Sequence, residues 1–262
     1  MKFDFACDSH IHILESSATV AHYRQIQLKL GLARAVVVQP RAYGTDNSIT
    51  LEAIAKLGIE NARGIAVVHP TVGNYELAKL HAGGIRGLRM SLYTPENAAV
   101  SFEMLEPLAR IAYGLGWHVQ LHWTADQMVQ YAPRLLELPT TFVFDHLARL
   151  PVSSDAQGTR QAAFAVVREL MQQGRAWVKL SGAYLNTALP HGHGYGDLQS
   201  MAEAWIKLAP DRLVWGSDWP HVTEAKHTPN DQELFDLLHQ WAGDEATAQR
   251  ILVDNPAKLY GF

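Results

Sequence analysis

The sequence predicts an α/β fold, a single (β/α)8 or TIM barrel that occupies residues 1–262. Short apolar runs rich in β-branched residues alternate along the chain with helical patterns, and this alternation is typical of βα units around a parallel sheet. Eight such runs can be counted, and eight parallel strands close a barrel. With 262 residues, the chain is also long enough to give one barrel a full hydrophobic core.

The predicted strands are spaced so that a helix fits between each pair. They are Phe3–Cys7, Ala33–Gln39, Gly64–His69, Ile85–Ser91, His118–His122, Thr141–Asp145, Trp177–Ser181 and Arg212–Ser217. Apolar residues at i, i+3, i+4 and i+7 predict helices in between, for example over 102–114 and 164–173. The glycine-rich stretch 191–196 predicts a long βα loop after the seventh strand. An open doubly wound sheet is the main alternative, but the sequence has no Gly-rich phosphate-binding pattern after the first strand.

The composition favours a globular protein that acts on a small molecule. Hydrophobic residues make up 48% of the chain and charged residues 18%, values that exclude a disordered or collagen-like protein. The net charge is −4 and the basic residues are scattered, so we expect no nucleic-acid partner. The N-terminus does not resemble a signal peptide and no apolar run reaches membrane-spanning length, so we expect a cytoplasmic protein that does not bind membranes. The pattern gives no indication of the oligomeric state.

Several polar residues fall where the predicted strands end, which is where barrel enzymes carry their chemistry. The first strand leads into Asp8, His10 and His12, and two histidines spaced two apart on extended chain point to the same side. His122, His146 and Asp218 follow or end the fifth, sixth and eighth strands. We therefore expect these side chains, listed here in chain order, to surround one pocket: Asp8, His10, His12, His122, His146 and Asp218.

Seven segments give the chain a specific family resemblance. They are DSHIHI, GIRGLRM, GWHVQLH, FDHLARLP, WVKLSGAY, WGSDWPH and DNPAKLYGF, and together they span nearly the whole chain. In this ordered combination they resemble the amidohydrolase-related proteins, the branch that contains 2-pyrone-4,6-dicarboxylate lactonase and related sugar-lactone and muconolactone hydrolases. The resemblance implies a hydrolase that opens a carboxylated lactone.

Hydrolysis of a carbonyl needs an activated water, a group that polarises the carbonyl, and a proton donor for the leaving oxygen. Asp218 can act as the base and return the proton, while His10, His12 and His146 can polarise the carbonyl directly or through a metal. The resemblance implies catalysis without a required cofactor. One divalent metal, most naturally zinc, stays open as an alternative, held by His10, His12, His122 and Asp218. A His122 side chain that points into the site would favour zinc.

Cationic side chains near these strand ends predict a small anionic substrate. Arg89 shares its strand parity with Ser91, and a planar guanidinium suits a carboxylate. The resemblance implies that arginines at such positions bind substrate carboxylates, although an arginine here can also form a structural ion pair. The expected substrate-binding residues are Arg89, Ser91, Arg149, Lys179, Tyr184 and His221.

Three functions compete on this evidence. A lactonase is the leading hypothesis. A zinc-dependent decarboxylase, or a zinc hydrolase of a small conjugated acid, is the second, since related members of the superfamily remove carboxylate groups. A non-catalytic binding barrel is disfavoured because Asp218 and the histidines are all present.

Overall fold

In a computed structural model that describes residues 3–152, 158–224 and 226–262, eight parallel strands follow one another around the sheet in sequence order. They are β1 (Cys7–Ile11), β2 (Arg34–Val38), β3 (Ala62–Ala66), β4 (Ile85–Ser91), β5 (His118–His122), β6 (Thr141–Phe144), β7 (Ala176–Leu180) and β8 (Leu213–Trp215). The ring closes just beyond β8, where Ile11 forms a parallel bridge with Trp219 and the His12 amide donates to the Trp219 carbonyl over 2.8 Å. The (β/α)8 barrel is confirmed and the open doubly wound sheet is wrong.

Helices connect the strands and cover the outside of the barrel. They are α1 (Val20–Leu30), α2 (Ser48–Leu57), α3 (Asn74–Ala82), α4 (Leu105–Gly114), α5 (Ala125–Gln130), α6 (Ala132–Glu137), α7 (Thr159–Gln172), α8 (Ala183–Asn186), α9 (Gln199–Leu208), α10 (Asp231–Ala242), α11 (Glu245–Gln249) and α12 (Asn255–Tyr260). The predicted helix over 102–114 is α4 preceded by one 3₁₀ turn at Phe102–Met104, and the one over 164–173 lies within α7. In the described part of the chain, no helix has the length and apolar character that crossing a bilayer requires.

Two strand predictions need correction. The apolar run Phe3–Cys7 is not the first strand, because Phe5 has a φ of 64° and lies 56% exposed, and the strand begins only at Cys7. Its residues Asp8, Ser9 and His10 are polar but buried, so apolar patterning could not reveal it. The third strand runs from Ala62 to Ala66 rather than over 64–69. The other strands agree with the prediction to within two residues at either end.

The barrel interior divides into an apolar half and a polar half. One cluster of fully buried side chains, including Val36, Ile65, Val143 and Val214, fills the interior next to Tyr260. The larger apolar cluster lies between the sheet and the helices. Towards the carboxyl ends of the strands the inward-facing side chains become polar, and these residues form the site described next.

Candidate active site

Three side chains, from β1 and from the segments that follow β1 and β8, meet at the mouth of the barrel. The Nε2 atoms of His10 and His12 lie 3.3 Å apart, and each lies 3.5 Å from Oδ1 of Asp218. His12 Nδ1 lies 2.8 Å from the carbonyl oxygen of Val38, so Nδ1 carries the ring proton and the Nε2 lone pair faces Asp218. All three residues are buried. The expected convergence of His10, His12 and Asp218 is therefore what the structure shows.

The local backbone brings these residues close together. A Cβ atom at Gly216 would lie 2.6 Å from the Cβ of His10 and 2.8 Å from its amide nitrogen, so only glycine lets the end of β8 approach β1. Asp218 has a φ of 64°, a conformation that aspartate adopts more readily than most residues, and its amide donates to the His10 carbonyl over 2.9 Å. This left-handed residue turns the Asp218 carboxylate back over the barrel.

Asp8 has a different role from the one expected. Its carboxylate accepts hydrogen bonds from the Ser217 amide at 2.9 Å, the Ser217 hydroxyl at 2.6 Å and the Tyr23 hydroxyl at 3.2 Å. Burial raises the pKa of Asp8 to about 6, although the Ser217 hydrogen bonds oppose the shift. Asp8 therefore ties β1 to the segment after β8, and the expectation that it lines the pocket is wrong because these contacts occupy its oxygens.

His146 lies beside both His10 and Asp218. Its ring stacks on that of His10 with centroids 5.0 Å apart, and its Nε2 is 3.9 Å from Oδ2 of Asp218. On the other side of the ring, Nδ1 lies 3.0 Å from the Ser181 hydroxyl. A Cβ at Gly182 would come within 2.6 Å of Nδ1, so a glycine after Ser181 makes room for the ring. Burial lowers the pKa of His146 to about 3, which keeps the imidazole neutral near pH 7.

The backbone that carries His146 is unusual. All four residues from His146 to Arg149 have positive φ, between 49° and 60°. Non-glycine residues rarely adopt this region, and runs of them concentrate at functional sites where packing enforces the conformation. Leu147 and Ala148 are fully enclosed, and Asn186 donates to the His146 carbonyl over 3.0 Å, so packing and a hydrogen bond hold the run in place.

Asp218 is ionised in this setting. Burial by itself would raise the pKa of Asp218, but the electrostatic effect of the neighbouring histidines, His146 and then His10, outweighs it and holds the pKa well below its usual range. The Tyr184 hydroxyl donates to Oδ2 over 2.6 Å. Oδ1 is the carboxylate oxygen that faces the two histidines of β1.

A buried polar layer supports the histidines from below. Lys179 donates to the carbonyl of Ser9 and to Gln120 Oε1, each over 2.8 Å, and lies 3.5 Å from His10 Nδ1. Gln120 in turn donates to Asp145 Oδ2 over 3.0 Å, and Asp145 Oδ1 lies 3.3 Å from His10 Nδ1. The buried Lys179 ammonium group therefore supports the backbone and the polar layer around His10, and substrate contact by Lys179 stays a prediction.

His122 faces the site but stands apart from the first three residues. Its ring meets that of His146 edge-on at 5.1 Å and stacks on Tyr93 at 5.0 Å, while Nδ1 lies 3.3 Å from the Ser91 hydroxyl. Burial lowers the pKa of His122 to about 3. In the described residues, donor atoms within 4.8 Å of one another form two sets, one from His10, His12 and Asp218 and one from His10, Asp145 and His146. His122 belongs to neither set, so its place among the four expected zinc ligands stays a prediction.

Two arginines lie on the opposite side of the mouth. Arg89, on β4, is buried, donates to the Gln39 carbonyl over 3.1 Å and lies 3.9 Å from Asp145. Arg41 donates to the hydroxyl and carbonyl of Thr94, and together with Arg89 and Ser91 it lines a small cavity. Sequence reasoning missed Arg41, although it follows β2 closely and a survey of charged residues after every predicted strand would have found it.

The remaining expected contacts lie at the rim. Arg149 lies 4.2 Å above the ring of Tyr93 and donates to the Leu185 carbonyl, so it joins two loops. His221 Nε2 lies 3.0 Å from Asp231 Oδ1, which fixes the ring against the start of α10. Substrate contacts by Arg149 and His221 stay predictions.

Comparison with known proteins agrees with this arrangement. The sequence model of the amidohydrolase family matches residues 9–262, nearly the entire chain. The chain belongs to the amidohydrolase family.

Three curated relatives are similar to this amidohydrolase over most of their length. The 4-sulfomuconolactone hydrolase of Rhizobium radiobacter is 31% identical over 98% of this chain and 90% of its own. A 2-pyrone-4,6-dicarboxylate hydrolase of Comamonas testosteroni is 33% identical over 93% and 81%. A D-galactarolactone isomerase of Agrobacterium fabrum is 30% identical over 91% and 80%.

A solved structure matches the fold of this amidohydrolase over nearly its full length. The crystal structure of a probable 2-pyrone-4,6-dicarboxylic acid hydrolase from Acinetobacter baumannii, with citric acid bound, superposes with a TM-score of 0.82. The two proteins are 26% identical over 98% of this chain and 100% of the other.

Proposed function

We propose that this amidohydrolase opens an anionic lactone by hydrolysis. The observation that carries the proposal is the Asp218 carboxylate, which lies 3.5 Å from both His10 and His12 at the barrel mouth, where Arg89 can bind an acidic group. The relatives named as lactone hydrolases support the choice of a cyclic ester as substrate. The bound citric acid in the Acinetobacter structure supports an acidic ligand for this fold.

Binding orients the lactone between the two sides of the mouth. Arg89 and Arg41 attract the substrate carboxylate, and a guanidinium group can hold its two oxygens at once. This contact directs the lactone carbonyl towards the histidines. If the Ser181 hydroxyl donates to His146 Nδ1, the ring proton lies on Nε2, where it can donate to the carbonyl oxygen.

Asp218 then moves the proton. The carboxylate takes a proton from a water molecule as the water oxygen forms a bond to the carbonyl carbon. The tetrahedral intermediate collapses with cleavage of the ring C–O bond, and the departing oxygen receives the proton that Asp218 took up. The hydrogen bond from Tyr184 holds Oδ2, so Oδ1 is the atom that faces the water. We propose that these residues act without a required metal.

A zinc-dependent form of the reaction uses the same residues and is favoured by one observation. The three donor atoms of His10, His12 and Asp218 are 3.3–3.5 Å apart, which is close to the separation of neighbouring ligands around tetrahedral zinc at bond lengths of about 2.0–2.1 Å. A zinc ion bound there would polarise the carbonyl and lower the pKa of a bound water. The residues present therefore fit a divalent cation.

The proposal is tested with a panel of carboxylated lactones and mass analysis of the products. Hydrolysis adds one water to the substrate mass, isomerisation leaves the mass unchanged, and decarboxylation removes carbon dioxide. Product heavier by one water, formed in proportion to enzyme, is the expected result. If the folded protein turns over none of the lactones, the hypothesis of a non-catalytic binding barrel is favoured instead. Loss of carbon dioxide would establish the decarboxylase.

A further inference from the structure

A second cavity adjoins the candidate active site on the side of β7 and β8. Its volume is about 300 Å³, and it is lined by Tyr184, by residues of the loop over 187–195 and, after β8, by residues 224, 227–230 and 233. The Tyr184 hydroxyl donates to Asp218 Oδ2 over 2.6 Å, and its ring packs edge-on against His221 at 5.2 Å. Tyr184 therefore borders both this cavity, which we name the rim pocket, and the proposed base.

The rim pocket is acidic and rich in hydrogen-bonding groups. Glu224 and Glu233 line it, and no lining residue in the described part of the chain is lysine or arginine. Burial and then the Glu233 and Glu224 carboxylates raise the pKa of Tyr195, which also lines the pocket. Its other polar lining residues are Thr187, His191, His227, Thr228 and Asn230.

The opposite side of the mouth has the opposite charge. Arg89 is on β4 and Arg41 follows β2, whereas the rim pocket is built by the segments after β7 and β8. Because the strands follow one another around the ring in sequence order, β4 lies half a turn from β8. A substrate that spans the mouth from Arg89 to the rim pocket therefore meets a guanidinium group at one end and carboxylates at the other.

We infer that the substrate is a lactone with a single anionic group and an uncharged, hydroxylated arm, and that the arm occupies the rim pocket. The inference rests on the proposed function and narrows its substrate class. Glutamate oxygens accept hydrogen bonds from hydroxyl groups, and they repel a carboxylate placed in the same cavity. Glu224 and Glu233 thus select a sugar-acid lactone over a flat lactone that carries two carboxylates.

The test compares two lactones that differ only in the arm. The two lactones share one carboxylate at the same position. The arm of the first ends in a hydroxymethyl group, and the arm of the second ends in an additional carboxylate. We expect kcat/KM of the wild-type enzyme to be at least about tenfold higher for the hydroxymethyl lactone, because like charges held close together oppose binding. In the variant with Glu224→Gln and Glu233→Gln, kcat/KM for the dicarboxylate should rise about five- to tenfold, so the preference shrinks.

The control variant is Glu60→Gln. Glu60 is exposed and lies between α2 and β3. Because it comes before the start of a strand, it lies at the end of the barrel away from the active site. This variant should leave the preference unchanged, which separates a local charge effect from a change in net charge. Equal or better hydrolysis of the dicarboxylate by the wild type, or an unchanged preference in the double variant, would overturn the inference while leaving the lactonase function intact. Hydrolysis of neither lactone would overturn the proposed function and this inference together.

Discussion

Replacement of Asp218 by asparagine tests the proposed base with little change in shape. Asparagine keeps an oxygen that can face His10 and His12, and its amide can contact the Tyr184 hydroxyl, which now acts as acceptor. What disappears is a negative charge able to take a proton from water. The variant should therefore fold normally and bind substrate with a similar KM.

The expected loss is in kcat. Removal of a general base costs on the order of 10²- to 10⁴-fold, which corresponds to roughly 3 to 5 kcal/mol of barrier. Asp145, the other carboxylate next to His10, accepts a hydrogen bond from Gln120 and lies 3.7 Å from the Lys179 ammonium group. Because these contacts engage Asp145, it is a poor substitute for Asp218, and we expect a loss in the upper part of this range.

The assay is steady-state hydrolysis of a verified lactone by wild type, Asp218→Asn and the matched control Tyr184→Phe. The control keeps the carboxylate and removes only the hydrogen bond to its Oδ2, so kcat should fall less than about tenfold. Metal content is measured on each preparation, since asparagine is a poorer ligand than aspartate. If Asp218→Asn retains kcat within a fewfold of wild type, Asp218 is not the base and the mechanism is wrong.

Three further predictions follow from the same contacts. Arg89→Met should lower kcat/KM for an acidic lactone by about 1.5–3 kcal/mol, or roughly 10- to 150-fold, whereas Arg89→Lys should lose less; equal activity in all three proteins would show that the arginine is structural. Prolonged dialysis against a chelator should leave activity unchanged, and an activity that disappears and returns with added zinc would establish the metal-dependent mechanism instead. Burial lowers the pKa of His118, His122 and His146 from 6.5 to about 3, so the stability that these neutral rings contribute is complete above pH 6.5 and is lost as the pH falls towards 3. In that window each ring lowers the free energy of unfolding by about 1.4 kcal/mol for each pH unit of acidification. Asp8 has a raised pKa and offsets the effect of only one ring between about pH 6 and pH 4. The urea midpoint should therefore fall steeply below pH 6, and a flat midpoint would contradict the assigned burial.

The strand count and the order of the strands could be predicted because buried parallel strands appear as short apolar runs. β2, with Ala35 to Val38 all buried, shows this pattern clearly. β1 does not show this pattern, because its buried residues Asp8, Ser9 and His10 are polar and are not part of an apolar run. Hydrogen bonds, such as the one from the Ser217 amide to Asp8, satisfy these polar groups inside the protein. A polar strand at a functional site is therefore misplaced by any method that looks for apolar residues.

The candidate site was predicted in part for a similar reason. His10, His12, His146 and Asp218 come directly at strand ends, and the barrel brings all strand ends to one face. The spacing of residues in the sequence could not show that the Asp8 carboxylate accepts a hydrogen bond from the Ser217 amide. Nor could it show that Lys179 donates to the Ser9 carbonyl and to Gln120. These assignments depend on side-chain direction after an irregular register between Asp8 and Ile11.

The sequence by itself determined the barrel, the family resemblance and most of the residues at its mouth, because these follow from local patterns and from the rule that parallel strands share one functional end. The tertiary structure alone decided which polar atoms meet. It placed donor atoms of His10, His12 and Asp218 within 3.5 Å of one another, separated His122 from them, and set Arg89 half a turn from the glutamates of the rim pocket. The reason is that these contacts join residues up to about two hundred positions apart, so their distances are set by the closure and register of the ring, which no local segment encodes.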